Sequence, residues 1–230
     1  MALRVGVVGL GRGAVLHRAL ALQPGCEVIA ASSRRLVTAQ AYAAANGVPR
    51  AYGSYAELLA DQDVNTVVVA SPAPNHAEQS IAALAAGKHV ISEVPAAYDL
   101  EQCAALGAAV EAARGRATYL FAENANYASQ MQSWQGIVER GLIGKIIYAE
   151  SQYVHDLRDR LRDASGQLTW RAHLPPIHYC THEIGPILAL LAAGGQRDRS
   201  YPGSGALPTG ALCRNGTHGG SLRLRARLLD

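Results

Sequence analysis

Residues 5–14 read VGVVGLGRGA, an apolar strand pattern that leads into a glycine-rich turn and then into an amphipathic helix. Gly9 permits a tight turn, and Gly11 lets the backbone approach a pyrophosphate. Ala14 stands where a third small residue allows the helix to pack closely on the strand. A turn of this kind also presents free helix N–H groups to an anion, although a purely steric role is the alternative. The residues predicted to form this cofactor site are Gly9, Gly11, Arg12, Gly13 and Ala14.

Strand and helix patterns alternate along the first half of the chain. Apolar strand patterns occupy residues 27–31, 65–70 and 89–92, and helix-capping boxes begin at Ser54 and Asp99. The middle run is continuously apolar after its first residue, which suits a parallel strand covered on both faces. Repeated strand and helix units predict an α/β fold with a doubly wound parallel sheet. Ligands of such sheets bind at the carboxyl ends of the strands.

Composition argues against several classes of protein. The 230 residues are 49% hydrophobic, which is enough for a core in one or two domains. The net charge is +3 and only two of the 21 basic residues are lysines, so we expect no nucleic-acid partner. We expect a cytoplasmic protein, because no stretch could span a membrane and the first strand leaves no room for a signal peptide. The four cysteines lie far apart and are expected to be free thiols.

The segment after the second strand pattern predicts which dinucleotide binds. Nucleotide sites commonly place an acidic residue here against the ribose 2′-hydroxyl, but residues 31–35 read ASSRR. A carboxylate would repel a 2′-phosphate, whereas a hydroxyl and a guanidinium would hold it. Ser33 and Arg34 therefore predict a preference for NADP(H) over NAD(H). A solvated basic loop is the alternative.

Two further motifs accompany the glycine turn. Residues 71–76 read SPAPNH, and residues 86–95 read AGKHVISEVP. Together the three motifs resemble those of the glucose-fructose oxidoreductase, inositol dehydrogenase and rhizopine-catabolism (Gfo/Idh/MocA) family, over about residues 3–191. The resemblance implies an N-terminal Rossmann domain and a C-terminal α/β domain whose open antiparallel sheet covers the nicotinamide. It also implies a sugar, cyclitol or related polyol as substrate, and a homo-oligomer formed through that sheet.

The resemblance indicates which other residues surround the cofactor. We expect two domains, at residues 1–122 and 123–230, with the boundary near the end of the last Rossmann strand. Pro95 would fix the backbone direction and Glu93 could hydrogen-bond a ribose, although a rigid turn is the alternative for Pro95. Asn124 belongs to a polar run where family members present residues to the nicotinamide. The residues expected at the cofactor besides the glycine turn are Ser33, Arg34, Ser71, Pro72, His76, Glu93, Pro95 and Asn124.

Two positions depart from the family pattern. The family usually has Glu-Lys-Pro, whose lysine is thought to position the cofactor and polarise the reacting hydroxyl, but this chain has Val94. A second family motif places an aspartate four residues before a histidine. Here His178 stands at the aspartate position and His182 is retained. Two groups expected to handle the proton are therefore replaced, so other residues must do this work or the activity is lost.

The candidates for catalysis lie at the end of this second motif. His182 is predicted to be the general base, because imidazole titrates near neutral pH. Tyr179, three residues earlier, could donate a proton to the same oxygen. A structural hydrogen-bonding role is the alternative for any single histidine. Four of the eight histidines fall within residues 155–182, but their irregular spacing and the lack of a recurring acidic partner predict no metal site.

Three short patterns also resemble a branch of the family that includes NAD-dependent glycoside hydrolases. They are Glu-Val-Pro at residues 93–95, Glu-Asn-x-x-Tyr at residues 123–127 and Tyr-x-Thr-His at residues 179–182. Such enzymes oxidise a sugar hydroxyl transiently, eliminate the aglycone and then return the hydride. Three functions therefore stay open: a sugar or polyol oxidoreductase, which we favour, a redox-assisted glycosidase, and a dinucleotide-binding relative without catalytic activity.

The C-terminal segment differs in composition from the rest of the chain. Residues 192–230 are rich in glycine, alanine, serine and arginine, and the resemblance to the family stops there. Only residues 222–227, LRLRAR, alternate as a strand does. We expect that truncation or a shifted reading frame produced this end, which would leave the sheet of the second domain incomplete.

Overall fold

The computed structural model describes residues 2–195, 212–214 and 220–227. The chain divides between Ala122 and Glu123 into two compact units, unit 1 and unit 2. The strands are β1 (Leu3–Val8), β2 (Cys26–Ser32), β3 (Arg50–Tyr52), β4 (Thr66–Val69), β5 (His89–Ser92), β6 (Tyr119–Phe121), β7 (Lys145–Tyr153), β8 (Leu212–Arg214) and β9 (Gly220–Arg227). The α-helices are α1 (Leu10–Leu20), α2 (Leu36–Asn46), α3 (Tyr55–Ala60), α4 (His76–Ala85), α5 (Leu100–Ala112), α6 (Ser129–Glu139) and α7 (Thr181–Ala193). Short 3-10 helices lie at Ala73–Asn75, Asn124–Tyr127, Arg158–Arg160, Trp170–His173 and Pro176–Tyr179.

Unit 1 is built on a six-stranded sheet in the order β3-β2-β1-β4-β5-β6, and all of its strand pairs are parallel. The predicted doubly wound α/β fold is therefore confirmed. The strand order reverses between β1 and β4, where such sheets bind their ligands. The sequence did not predict β3, because three residues are too few to form a recognisable period.

The core of unit 1 explains why β4 is apolar throughout. Val67 and Val69 belong to the hydrophobic cluster on one face of the sheet, and Val68 belongs to the cluster on the other face. All three side chains are fully buried, and each burial contributes about 1.5–3 kcal/mol. A strand buried on both faces shows no alternation, as the sequence indicated.

Both predicted helix starts are capped, but only the one at Ser54 is a complete capping box. The Ser54 side chain accepts from the Glu57 N–H while the Glu57 carboxylate accepts from the Ser54 N–H, so α3 begins with a complete capping box. At the start of α5, the Asp99 carboxylate accepts from the Gln102 N–H at 2.8 Å. These caps fix where the two helices begin.

Unit 2 contains a three-stranded antiparallel sheet in the order β7-β9-β8. Residues 222–227 lie within β9, so the strand predicted from their alternation is confirmed. Helices α6 and α7 and the start of strand β7 share one hydrophobic core. Its buried residues are Met131, Val138, Ile146, Ile187, Leu190 and Leu191. The prediction of a truncated or frame-shifted end concerns residues 192–230, most of which lie outside the described residues.

Candidate functional site

The glycine turn of unit 1 brings two strand ends into contact. Gly9 has φ +86°, in the left-handed region, and is the residue before α1. A Cβ added to Gly9 would lie 2.1 Å from the carbonyl carbon of Ala70 and 2.2 Å from the nitrogen of Ser71. Neither backbone can move away, so this position accepts only glycine. The glycine turn after β1 therefore lies directly against the backbone that follows β4.

The other two glycines of the turn have different roles. A Cβ at Gly11 would meet nothing within 4 Å, which leaves open space above the first turn of α1. A Cβ at Gly13 would lie 2.6 Å from Val7 Cγ1, and the Gly13 N–H donates to the Gly9 carbonyl at 2.9 Å. Gly13 therefore allows close packing of helix on strand, the role that the sequence assigned to half-buried Ala14. The cofactor contact expected of Gly13 remains a prediction.

The first turn of α1 fits the pyrophosphate of a dinucleotide. Its first intrahelical hydrogen bond comes from Gly13, so the three preceding N–H groups have no helical acceptor. The first turn contains no acidic residue. Free N–H groups, the positive end of the helix dipole and the open space at Gly11 together suit an anion that approaches the backbone closely.

Arg12 and Glu93 form an ion pair that the sequence did not predict. Arg12 Nε lies 2.5 Å from Glu93 Oε1, and the other carboxylate oxygen accepts from the Val94 N–H at 3.1 Å. The Glu93 side chain is only 8% exposed, whereas that of Arg12 is 49% exposed. The pair links the start of α1 to the end of β5, and it places a half-exposed guanidinium at the glycine turn.

His76 holds two strand ends together. It is 2% exposed, and its Nδ1 and Nε2 each lie 2.7 Å from a carbonyl oxygen, those of Pro95 and Ser71 respectively. Both ring nitrogens are thus occupied by backbone, which gives His76 a structural role, and its contact with the cofactor remains a prediction. Pro95 follows a cis peptide bond, and Pro72 begins the 3-10 helix after β4. The cofactor contacts expected of Ser71, Pro72 and Pro95 remain predictions.

The exit of β2 contains the residues predicted to select NADP(H). Ser32 ends the strand, is 1% exposed and donates its hydroxyl to the Ser54 carbonyl at 2.9 Å, so it is not available to a ligand. Ser33 follows and is half-buried, and Arg34 and Arg35 are exposed. The structure therefore leaves Ser33, Arg34 and Arg35 accessible at this exit, and the contact of Ser33 and Arg34 with a 2′-phosphate remains a prediction.

In unit 2, Glu123 holds His182. Glu123 Oε1 lies 2.6 Å from His182 Nδ1 and also accepts from the Ala125 N–H at 3.0 Å. The two side chains are 6% and 10% exposed. Glu123 precedes the 3-10 helix Asn124–Tyr127 and His182 lies in the first turn of α7. Glu123 thus supplies a carboxylate to the retained histidine, although the position of the family aspartate carries His178.

The electrostatics of this pair favour a charged carboxylate. Burial would raise the pKa of Glu123, but the hydrogen bond and charge of His182, helped by the Ala125 N–H, hold the pKa below its ordinary value. A charged Glu123 fixes the proton of the imidazole on Nδ1. The Nε2 of His182 is then the nitrogen that can accept a proton.

Gly185 allows the two segments to approach each other. A Cβ at Gly185, one turn after His182, would lie 2.8 Å from Asn126 Oδ1 and 3.0 Å from Glu123 Cγ. A larger residue in α7 would therefore push the 3-10 helix away and break the contact between Glu123 and His182. Gly185 was a signal in the sequence for this close approach, but it was not recognised.

Aromatic rings surround His182. The Tyr179 ring stacks on it with centroids 6.0 Å apart, and the Tyr153 ring lies 4.6 Å away. Tyr153 also contacts His155 at 4.4 Å. The structure thus brings together the predicted pair of Tyr179 and His182, and adds Glu123 and Tyr153. Asn124 is exposed on the 3-10 helix, and its cofactor contact remains a prediction.

The part of the chain that the structure describes contains neither a metal-binding cluster nor a membrane-spanning helix. Within residues 2–195, 212–214 and 220–227, no group of three or more histidine, cysteine or acidic side chains could hold a metal ion. None of the helices that the structure describes is long and apolar enough to cross a bilayer. Of the cysteines, Cys26, Cys103 and Cys180 are free thiols.

Comparison with known proteins identifies relatives. A family model described as an oxidoreductase family with an NAD-binding Rossmann fold (GFO_IDH_MocA) matches residues 3–121. A glycosyl hydrolase family 109 protein of Streptomyces coelicolor is 32% identical over 203 residues, which is 82% of this chain and 43% of that protein. An alpha-N-acetylgalactosaminidase of Shewanella oneidensis is 30% identical over 139 residues, 58% of this chain and 30% of that protein. This chain therefore spans less than half the length of these relatives.

Two solved structures are also similar. A 3-ketoreductase of Actinomadura kijaniata, determined in complex with NADP, is 33% identical with a TM-score of 0.57, over 66% of this chain and 49% of that chain. The apo scyllo-inositol dehydrogenase of Lactobacillus casei has a TM-score of 0.67 over 87% of this chain and 60% of that chain. Its identity is 22%, so it supports the fold alone.

Proposed function

The chain belongs to the Gfo/Idh/MocA family of NAD-binding Rossmann-fold oxidoreductases, and from this we propose that it uses NADP(H) to oxidise or reduce a hydroxyl-bearing carbon of a sugar or polyol. The observation that carries the proposal is the pair formed by Glu123 and His182. A buried imidazole with its Nδ1 held by a charged carboxylate is a general base, and among the described residues its Nε2 has no hydrogen-bond partner.

His182 would handle the hydroxyl proton. A bound nicotinamide dinucleotide supplies the chemistry of accepting or returning a hydride at the reacting carbon. As that carbon loses its hydride, His182 Nε2 takes the proton of the hydroxyl, which becomes a carbonyl. The charge of Glu123 stabilises the resulting imidazolium. In reduction, the same nitrogen returns the proton.

Tyr179 would assist at the same oxygen. Its ring stacks on His182, and its phenol carries a proton that it can share in a hydrogen bond. Val94, which is 7% exposed, has no proton donor and cannot replace the lysine of the family motif. We therefore assign the acid and base work to Tyr179 and His182 alone.

The cofactor preference is proposed to come from Ser33 and Arg34. Both follow β2 and have no acidic neighbour in residues 31–35, and a related 3-ketoreductase was solved with NADP. We expect Ser33→Asp to favour NADH over NADPH by about tenfold or more relative to the unchanged chain, because a carboxylate repels the 2′-phosphate. Fluorescence titration with each cofactor measures the ratio, and Ser33→Ala is the matched control. An unchanged ratio in Ser33→Asp would remove this assignment.

A redox-assisted glycosidase is the second candidate. Two relatives are named as glycosyl hydrolases, and Tyr179 stands beside His182 as the second protonatable group that an elimination needs. In this reaction, oxidation of one hydroxyl acidifies the neighbouring C–H, the aglycone leaves by elimination, water adds, and the hydride returns. The cofactor is regenerated, so its total amount does not change.

One assay separates the candidates. The chain is mixed with p-nitrophenyl α-N-acetylgalactosaminide, or with a panel of free sugars and polyols, and NADP⁺. Release of nitrophenol at constant NADPH absorbance supports the glycosidase. NADPH formed in proportion to sugar consumed supports the oxidoreductase. Tight cofactor binding with neither reaction supports a relative without catalytic activity and contradicts the proposal.

A further inference from the structure

Unit 2 contains a groove that the proposed reaction does not use. It has a volume of about 510 Å³ and lies along α6, beside the 3-10 helix that follows Glu123 and the middle of α7. Gly136, which has no side chain, and the small residue Ala189 form part of its lining. The polar residues of its lining are Asn126, Tyr127, Gln132, Gln135 and Glu139. We call this the amide groove.

The lining has the chemistry of a carbohydrate site. Gln132 and Gln135 supply carboxamide donors and acceptors, as sugar hydroxyls do, and Glu139 adds an acceptor. Gln132 Nε2 donates to the Tyr127 carbonyl at 3.0 Å, which orients that amide. Tyr127 is 70% exposed and offers a ring on which the C–H face of a sugar can lie. Of the residues that the structure describes, no lysine or arginine lines the groove, so this lining does not suit a phosphate.

Gly136 is the strongest sign that the space itself matters. It lies inside α6, where glycine destabilises a helix relative to alanine. A Cβ at this position would meet nothing within 4 Å, so packing does not require glycine. The absence of a side chain keeps the groove open. Gly107 in α5 is also a helical glycine with nothing within 4 Å, and it provides a control outside the groove.

The amide groove lies on the same face of α7 as the proposed base. Ala189 follows His182 by seven residues, which is close to two turns, so the two point in similar directions about 10 Å apart along the helix. A ligand that reaches from His182 Nε2 into the groove must therefore be longer than one sugar ring.

We propose that the amide groove binds a second glycosyl unit of the substrate. The substrate is then a glycoside or oligosaccharide, with one sugar at His182 and the next in the groove. This inference rests on the proposed function only for the identity of the sugar that reacts at His182. Recognition in the groove can be measured without cofactor and without turnover.

The test is a titration of the ¹⁵N-labelled full chain, without cofactor, followed through the side-chain amide resonances of Gln132 and Gln135. The probes are maltose, cellobiose, lactose and N-acetylgalactosaminyl-α1,3-galactose, each compared with the methyl glycoside of its non-reducing sugar. We expect at least one disaccharide to shift both resonances and to bind about tenfold more tightly than its methyl glycoside. If no disaccharide shifts them, or if affinities are equal, the inference is wrong.

Variants locate the effect in the groove. Gly136→Tyr should abolish the tenfold advantage of the disaccharide and leave the methyl glycoside affinity unchanged. Gly136→Ala and Gly107→Ala should both raise the melting temperature, because alanine favours a helix over glycine. Only Gly136→Ala adds an atom to the groove, so Gly107→Ala is the control for the effect of stability on binding. Gln135→Ala, which removes one amide from a half-exposed position, tests the same point if Gly136→Tyr does not fold. A full disaccharide advantage in both Gly136→Tyr and Gln135→Ala would overturn the inference.

The outcome is independent of the catalytic assay. If the groove resonances respond to a disaccharide while no sugar is oxidised or released, the groove stands and the proposed function fails. If a sugar is turned over while the resonances never respond, the proposed function stands and the inference about the groove fails.

Discussion

In unit 1 the proposed cofactor site is a continuous stretch of backbone from Gly9 to Gly13, whereas in unit 2 the proposed base and its carboxylate are 59 residues apart. The first site depends on side chains that are missing, because any Cβ at Gly9 would collide with the end of β4. The second depends on side chains that are present and charged. Adding one carbon should therefore break the first site, and removing one charge should break the second.

The largest effect is expected from Gly9→Ala. Its Cβ would fall 2.1 Å from the Ala70 backbone at a positive φ, so we expect a loss of about 3 kcal/mol or more in the free energy of unfolding, with NADPH binding abolished. Gly11→Ala is the matched control for the fold, because its Cβ meets nothing. It should keep the stability of the unchanged chain but bind NADPH about tenfold more weakly, since the methyl group occupies the space of the pyrophosphate.

Urea unfolding and fluorescence titration measure the two properties separately. If Gly9→Ala unfolds at the same urea concentration as the unchanged chain, the close approach of β1 and β4 is wrong. If Gly11→Ala binds NADPH normally, the open space at Gly11 is not the pyrophosphate site.

The next effect concerns the other site. In Glu123→Gln an uncharged amide faces His182 Nδ1, so the imidazole loses both the fixed proton on Nδ1 and the stabilisation of its charged form. We expect kcat to fall by about 100-fold or more, and NADPH affinity to stay unchanged because the cradle is in unit 1. Glu123→Asp should recover part of the rate, and Glu111→Gln, at an exposed position, should have no effect.

The separate values of kcat and KM test whether Glu123 acts through His182. A carboxylate that only orients the imidazole affects proton transfer and not substrate binding, so Glu123→Gln should lower kcat while KM stays within about twofold. Glu123→Asp should recover part of kcat with the same KM. A rise in KM as large as the fall in kcat would mean that Glu123 has only a structural role.

Sequence predicted the contiguous features of this molecule well. The alternation of patterns gave the parallel sheet, the apolar run at β4 indicated burial on both faces, and the caps at Ser54 and Asp99 mark real helix starts. Each of these depends on residues within one turn or one strand. The glycine turn was recognised for the same reason, although the packing role belongs to Gly13 and not to Ala14.

Pairs that form only after folding were missed. Glu123 and His182 meet because Gly185 lets the 3-10 helix lie against α7, and a glycine in the sequence does not by itself identify the segment, 59 residues away, that packs on it. His76 was expected at the cofactor because it belongs to a family motif, but that motif does not predict that its ring lies buried between two backbone carbonyl groups. The family motif also pointed to a missing aspartate at position 178, and in the structure a carboxylate from elsewhere in the chain, that of Glu123, lies beside His182.

Unit 1 also contains an ion pair between residues far apart in the sequence, Arg12 and Glu93, which allows the same kind of test in the other unit. Arg12→Ala leaves the buried Glu93 carboxylate without its cation, and we expect a cost of about 1–2 kcal/mol, reduced from that of a fully buried pair because Arg12 is half exposed. The double variant Arg12→Ala with Glu93→Gln should recover most of this loss, which a double-mutant cycle in urea measures. Additive losses would show that the two residues do not interact.

The smallest effect is the contribution of Glu123 to stability as pH changes. The folded chain holds the pKa of Glu123 below its ordinary value of 4.5, so the folded state binds this proton less readily than the unfolded state. The contribution is therefore present in full above 4.5 and is lost as the pH falls through the folded pKa. The difference in unfolding free energy between the unchanged chain and Glu123→Gln should shrink by about 1 kcal/mol between roughly pH 6 and pH 3. Because the other carboxylates titrate in both chains, the difference isolates Glu123. A constant difference across this range would mean that His182 does not stabilise the charged carboxylate, and the contrast between a backbone site and a charged site would no longer hold.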